Sequence, residues 1–390
     1  MNQRDREDAT LSFARPDGGG AVEETFYPWD LTVKRFAKEG LPAPIAGRVL
    51  KPPHSPAEKY LKASHFGGVA DYEHWLGLDS VRRACFMLPL RGFRREVRED
   101  AEDHILFRDE GGRVINLHRA TGVAEHVRYA VAGPEDWAEL KELGDAELEQ
   151  YYREDDIETI YGPLRESCAR EGSPVRFFIE GFYWTPRELM GTEALSYAFY
   201  DDPQLVHDIN GYALEIFMQK LVRVLDVLPV DVLYIMEDIS GRNGPFISPG
   251  MFEEFVGQYY RKLLPVLRSK GVRHILVDTD GDFGKLIPSF IQVGVDGFLP
   301  MDVNAGMDIV AVRKEYPRLK FIGGFNKLCI ADGEDAIDRE FQRLLPVIRQ
   351  GGYIPGADHQ VAPATSLMHY RYYISRLQEA MLQAGQDLPR

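Results

Sequence analysis

Six carboxylates and one histidine recur at one kind of place in this chain, immediately after a short apolar run. The run ends read Tyr183-Trp184, Glu237-Asp238, Asp278-Thr279-Asp280, Met301-Asp302, Phe325-Asn326-Lys327 and Asp358-His359. Clustered carboxylates repel one another unless a cation, a proton or a basic substrate joins them. A fold that gathers these ends therefore builds an acid–base centre or a cation site. Each aspartate taken singly is a common backbone cap; the set points to chemistry. Glu237 and Asp238 are candidates for proton transfer, Asp302 for substrate binding, and Tyr183 and Trp184 for a stacking wall against a planar substrate.

The stretch Asp278 to Lys285 invites two calcium or phosphate readings, and both fail. An EF-hand loop needs Gly at its sixth position and Glu at its twelfth, where this chain has Phe283 and Ser289. A P-loop needs Gly and Ser or Thr where Thr279 and Leu286 stand. What remains is an Asp-x-Asp pair, whose two side chains face one pocket only if the strand stops between them. With His359 the pair offers oxygen and imidazole ligands for a divalent metal. His359 lies in Gly-Ala-Asp-His-Gln, next to a carboxylate able to orient its ring. His207 and His369 fall inside helical patterns and are read as structural.

The elements that must position these residues are rhythmic from about residue 172. VRFFIEGFYW, VDVLYIMED, VRHILVDTD, VDGFLPMDV, LKFIGGFN and GGYIPGAD alternate with helical patterns over 203–228, 249–269 and 333–349. Near-continuous apolar strands separated by helices mark a parallel sheet covered on both faces. Asp202-Pro203 and Ser248-Pro249 place a capping side chain before an N1 proline. Six βα units are visible, and one or two earlier strands would complete an α/β TIM (β/α)8 barrel, whose chemistry sits at the carboxyl ends of its strands.

Before the barrel units the chain is irregular. Residues 1–22 read as a flexible N-terminal segment, and 23–390 as one barrel domain. An amphipathic stretch covers 29–39, a proline-rich passage 41–56 and an acidic helix 134–156. A hairpin pairs His104–Phe107 with Val114–Leu117 around Glu110-Gly111-Gly112.

Composition narrows the function classes. The 390 residues carry 46 basic and 61 acidic side chains, a net charge of −15 that repels nucleic acid and anionic membranes. No apolar run reaches the roughly 18 residues of a membrane span, and the polar start lacks a signal-peptide core, so a cytoplasmic location is expected. Cys85, Cys168 and Cys329 are an odd number, far apart, with no Cys-x-x-Cys; neither a disulfide framework nor a thiolate-only zinc site follows. A small-molecule substrate is the expected partner, and a homodimer is compatible with the sequence.

Several segments resemble one family. MGTEALSYAFYDDPQLV, MEDISGRNGPFISPGMFEEF, the stretch from Asp278 to Asp308, FIGGFNK and GGYIPGADHQVAPATSLMHYRYY are similar to the uroporphyrinogen decarboxylase superfamily, whose members share a TIM barrel. Asp358-His359-Gln360 with Pro363 and Thr365 resembles the family's Gly-His-Gly followed by Pro and Thr, which implies a pocket role for His359. Asn326 and Lys327 stand where the family has its Gly-Asn-Leu-Asp loop, which implies substrate contact.

The superfamily contains porphyrinogen decarboxylases and zinc-dependent methyltransferases that exchange methyl groups with a corrinoid protein. The decarboxylases' Arg-x-Ala-Gly-Arg is echoed only by Ala46-Gly47-Arg48. Their substrate's many carboxylates would also meet the acidic run ends. The methyltransferases' His-x-Cys corresponds to Asp278 and Asp280, with Asp358 or His359 in place of the later Cys. Oxygen ligands in place of sulfur imply an oxygen-linked methyl donor, such as a methoxy aromatic, with zinc polarising the ether oxygen. The resemblance thus implies a methyltransferase served by a corrinoid partner. A decarboxylase and a non-catalytic small-molecule-binding barrel stand as alternatives.

Overall fold

The computed structural model describes residues 1–24, 28–49, 61–62, 70–119 and 124–387. Its strands are β1 Leu61–Lys62, β2 Arg82–Phe86, β3 Glu96–Asp100, β4 His104–Arg108, β5 Val114–His118, β6 Ala124–Arg128, β7 Val175–Glu180, β8 Val232–Met236, β9 Ser240–Gly241, β10 Gly244–Pro245, β11 His274–Asp278, β12 Gly297–Leu299, β13 Lys320–Phe325 and β14 Tyr353–Ala357. The central sheet runs β1-β2-β7-β8-β11-β12-β13-β14. All of its pairings are parallel except that of β1 with β2. This is the TIM barrel expected from the strand rhythm, with helices joining the strands.

The helix ends obey the caps read from sequence. Asp202 accepts from the amide of Leu205 at 3.2 Å, and Ser248 Oγ from that of Met251 at 3.2 Å. Two of the expected helices carry a π-helical turn, at Phe217–Leu221 and Glu253–Gly257. The expected hairpin pairs β4 with β5 in antiparallel register from His104–His118 to Arg108–Val114. β3 and β6 extend it to a four-stranded sheet. Part of the proline-rich passage lies outside the described residues. Among the described residues no helix is long and apolar enough to cross a membrane.

The N-terminal segment is not the flexible lead-in expected of its polar composition. Gln3–Leu11 is a helix across the amino-terminal end of the barrel. Its charged side chains meet partners at the strand starts: Arg4 pairs with Asp231 at 2.7 Å and Asp8 with Arg273 at 2.7 Å, while His274 Nε2 hydrogen-bonds Asp8 at 2.9 Å. Glu7 and Glu23 flank the fully buried Arg176. Leu11 and Ala21 pack into the barrel interior with Val232, Tyr234, Leu276, Leu299, Ile322 and Ile354. The polar residues that suggest solvent are partners for buried polar groups, which is the condition for burying charge.

Residues 20–24 then run between β14 and β2. The carbonyl of Val22 accepts from the amide of Asp79 at 2.7 Å, that of Glu24 accepts from Arg83 Nη2 at 2.8 Å, and Glu24 Oε1 accepts from the amide of Ala357 at 3.3 Å. Glu24 also accepts from the Tyr373 hydroxyl. Burial pushes its carboxyl up to about 7, against those hydrogen bonds. A carboxyl whose folded pKa is raised stabilises most at low pH and loses that contribution as pH rises through the folded value. The unfolding free energy should therefore fall from about pH 4.5, the ordinary value, to about pH 7, the folded one. Chemical denaturation of Glu24→Gln should show that slope reduced, by up to about 3 kcal/mol across the window. An unchanged slope would show that Glu24 does not titrate there.

Candidate active site

At the carboxyl ends of the strands, β11 stops at Asp278. The next amide, of Thr279, donates to the carbonyl of Leu299 at 3.0 Å, and the Thr279 hydroxyl accepts from the amide of Ile239 at 3.2 Å. Asp280 thus stands on the loop above the strand, with its amide on Asp238 Oδ1 at 3.3 Å. The strand stops where the Asp-x-Asp pair requires it to stop.

Asp278, in register with Met236 and Leu299, is 9% exposed. Burial, reinforced by the charges of Asp238 and Asp280, holds its carboxyl well above the usual carboxylate range. Asp280 is pushed up to about 7, first by desolvation and then by the charges of Asp238 and Asp302, with Lys327 opposing. Two neighbouring acids therefore keep protons near neutral pH.

His359 Nε2 lies 3.8 Å from Asp280 Oδ2. Burial and the nearby Lys327 ammonium lower the imidazole pKa, so the ring is neutral at physiological pH. Asp238 adopts φ +39° and receives Arg187 Nη1 on both its carbonyl and Oδ2 at 3.3 Å. Arg187 comes from the helix Trp184–Met190, and its guanidinium lies over the Trp184 ring, 5.3 Å from the centroid.

Other expected site residues hold the loops instead. Glu237 is fully buried, where a role in proton transfer was expected. Its carboxyl accepts from the amides of Phe182, Tyr183 and Trp184 at 3.1, 2.8 and 2.8 Å and from the Tyr260 hydroxyl. It closes the turn after β7, and Gly181 leaves it room: a Cβ there would come within 2.3 Å of the carboxyl carbon. Tyr183 is 1% exposed, stacked on Phe199 and Phe246, so it offers no open wall.

Asp358 is likewise buried. It accepts from the amides of Lys327 and Val303 at 3.0 Å each, with Lys327 Nζ at 3.6 Å, and so ties the loop after β13 to that after β12. Asp302 caps the turn Val303–Ala305, and the Asn326 side chain accepts from the amide of Leu328 at 3.1 Å. Anchors and acids are the same residue types, and only the number of amides facing each carboxyl separates them.

Two contributors went unread in sequence. Glu180, the last residue of β7, accepts from the amide of Leu88 at 2.9 Å and from Arg91 at 3.3 Å. It shares a face with Arg176 and Phe178, a period-two signal hidden because the apolar run continues to Trp184. Arg187 sits inside a helix and carries no strand-end mark.

Among the described residues no group of three or more His, Cys, Asp or Glu side chains could hold a metal ion. Asp358, the alternative ligand, has both carboxyl oxygens engaged by amides. The described residues do not fit a preassembled zinc site.

The sequence pattern of the uroporphyrinogen decarboxylase (URO-D) family matches residues 121–380. The chain belongs to this family. No curated protein sequence matches it significantly. Among solved structures it is similar to a methyltransferase from Methanosarcina mazei, at 15% identity and a TM-score of 0.58, covering 97% of this chain and 98% of that one. A Listeria monocytogenes protein named as a candidate vitamin-B12-independent methionine synthase covers 96% and 99% of the two chains at 9% identity, with a TM-score of 0.38. The first likeness supports the barrel, which is the fold of the URO-D family. In that fold the mouth holding Asp238, Asp278, Asp280 and His359 is where chemistry sits.

Proposed function

We propose that this URO-D family member is a methyltransferase that moves a methyl group from an oxygen-linked small-molecule donor, a methoxy aromatic or similar compound, to a corrinoid carried by a partner protein. The observation that supports this most is the approach of His359 Nε2 to within 3.8 Å of the Asp280 carboxyl at the barrel mouth, where burial and neighbouring charges push that carboxyl up to about 7. An alkoxide or phenoxide is a poor leaving group, and a positioned acid with a pKa near the working pH is the efficient remedy.

When bound, a reduced corrinoid supplies the electron pair that receives the methyl group. As the methyl–oxygen bond breaks, its electron pair stays on the oxygen, and Asp280 gives its proton to that atom. His359 then returns a proton from solvent to Asp280. Asp238, fixed by Arg187 and the Asp280 amide, places negative charge beside Asp280 and keeps the proton on it between turnovers. Asp278, deeper in the barrel, presents a second neutral carboxyl to the donor.

Incubating the purified chain with reduced cobalamin and 2-methoxyphenol, while following the cobalamin spectrum and the release of catechol, tests this reading. His359→Ala should slow the reaction by ~10²-fold and shift the melting temperature little, because a strand-end loop carries few core contacts. A lowered melting temperature with unchanged activity per folded molecule would assign His359 a purely structural role. A carboxy-lyase is the second reading, favoured by the family's own description, since the same acid would protonate the carbon left by decarboxylation. Carbon dioxide release from uroporphyrinogen without methyl transfer would support it.

A further inference from the structure

Trp29 is half exposed, at 49%, whereas Trp137 is buried at 6%. An indole left open to water forgoes a large hydrophobic gain, and this one is also held in place. Its amide donates to the carbonyl of Val361 at 3.3 Å, and the Thr32 hydroxyl donates to the same carbonyl at 2.8 Å. Arg35 reaches the carbonyls of Pro363 and Ala364 at 2.9 and 2.8 Å. The helix Asp30–Lys38 that Trp29 precedes is thereby fastened to the loop after β14, the loop that carries His359. The two rings stand 6.4 Å apart between centroids and are inclined by 42°, so the indole opens beside the imidazole rather than covering it.

We infer that Trp29 is the aromatic wall of the substrate site, and that the methyl donor is an aryl ether whose ring lies against this indole with its methoxy oxygen toward Asp280 and His359. The inference rests on the methyl-transfer reading for the reaction, but not for the binding. It moves the stacking role expected of Tyr183 to a residue that is open to a ligand. A flat π-face against an indole gains from offset or tilted stacking, and the rigid attachment to the His359 loop fixes the distance from ring to acid. An aliphatic donor such as methanol has no face to present and would not use Trp29.

Calorimetric titration of the full chain with 2-methoxyphenol, paired with tryptophan fluorescence, tests the assignment. Trp29→Ala is expected to raise the dissociation constant roughly three- to tenfold and to lower selectivity for 2-methoxyphenol over methanol by a similar factor. Trp29→Phe should keep the affinity within about twofold yet lose the fluorescence quenching that binding produces in the parent chain. Equal affinity in Trp29→Ala, or full quenching in Trp29→Phe, would overturn the inference. A parent chain that demethylates methanol but binds no 2-methoxyphenol would also overturn it, and would leave the methyl-transfer reading standing. Quenching through Trp29 without methyl transfer from any donor would do the reverse.

Discussion

Asp280→Asn is expected to slow methyl transfer from 2-methoxyphenol by ~10²–10⁴-fold, the usual contribution of a positioned general acid. The amide keeps the size and hydrogen-bonding reach of the carboxyl but has no proton to give. Stability should hardly suffer, because the Asp280 side chain is 46% exposed and its carboxyl holds no backbone amide in place. Because Asp280 keeps its proton near neutral pH, a neutral amide in its place leaves the local charge almost unchanged, so the melting temperature should stay level. Single-turnover rates and a thermal melt on the same preparation check both halves. An Asn variant with the parent rate would remove Asp280 from the chemistry.

Glu237→Ala should fail in the opposite way. Its carboxyl satisfies three backbone amides and a tyrosine hydroxyl in a fully buried setting. Removing it strands several buried donors, each costing about 1–3 kcal/mol, and adds a cavity. A loss of roughly 4 kcal/mol or more in unfolding free energy is expected, enough to unfold many domains of marginal stability. Glu237→Gln, which keeps two acceptor lone pairs but adds donors facing donors, should fall between. Urea denaturation separates these cases; an Ala variant as stable as the parent would return Glu237 to the list of candidate acids.

These two residues show how far the sequence could be read. Glu237 and Asp280 both follow apolar strands, and strand-end position alone made each a candidate. What divides them is the turn after β7, which aims three amides at Glu237, and no pattern of side chains announces where amides point. Asp358 is misleading for the same reason, being claimed by the amides of Val303 and Lys327. The strands, the capped helices and the hairpin follow from period and turn chemistry, which are local, and they formed where expected. The helix Gln3–Leu11 did not, because its charges are matched far off in sequence: Arg4 by Asp231, Arg6 by Asp79, Glu7 by Arg176 and Asp8 by Arg273. Long-range pairing is invisible to a window of a dozen residues. His359 was singled out because the family resemblance and the strand-end rule agreed on it, and it stands 3.8 Å from Asp280. Trp29 was not, because it precedes a helix remote in sequence from the mouth it borders.

The central claim is that a proton held near Asp280 leaves with the donor's oxygen, and the pH dependence of methyl transfer tests it most directly. With reduced cobalamin and 2-methoxyphenol in excess, the single-turnover rate of the parent chain should be level below about pH 7. Above that it should fall about tenfold per pH unit, following the Asp280 carboxyl, while Asp280→Asn stays slow and flat. A parent rate that stays level to about pH 9, or rises through that range, would contradict the account.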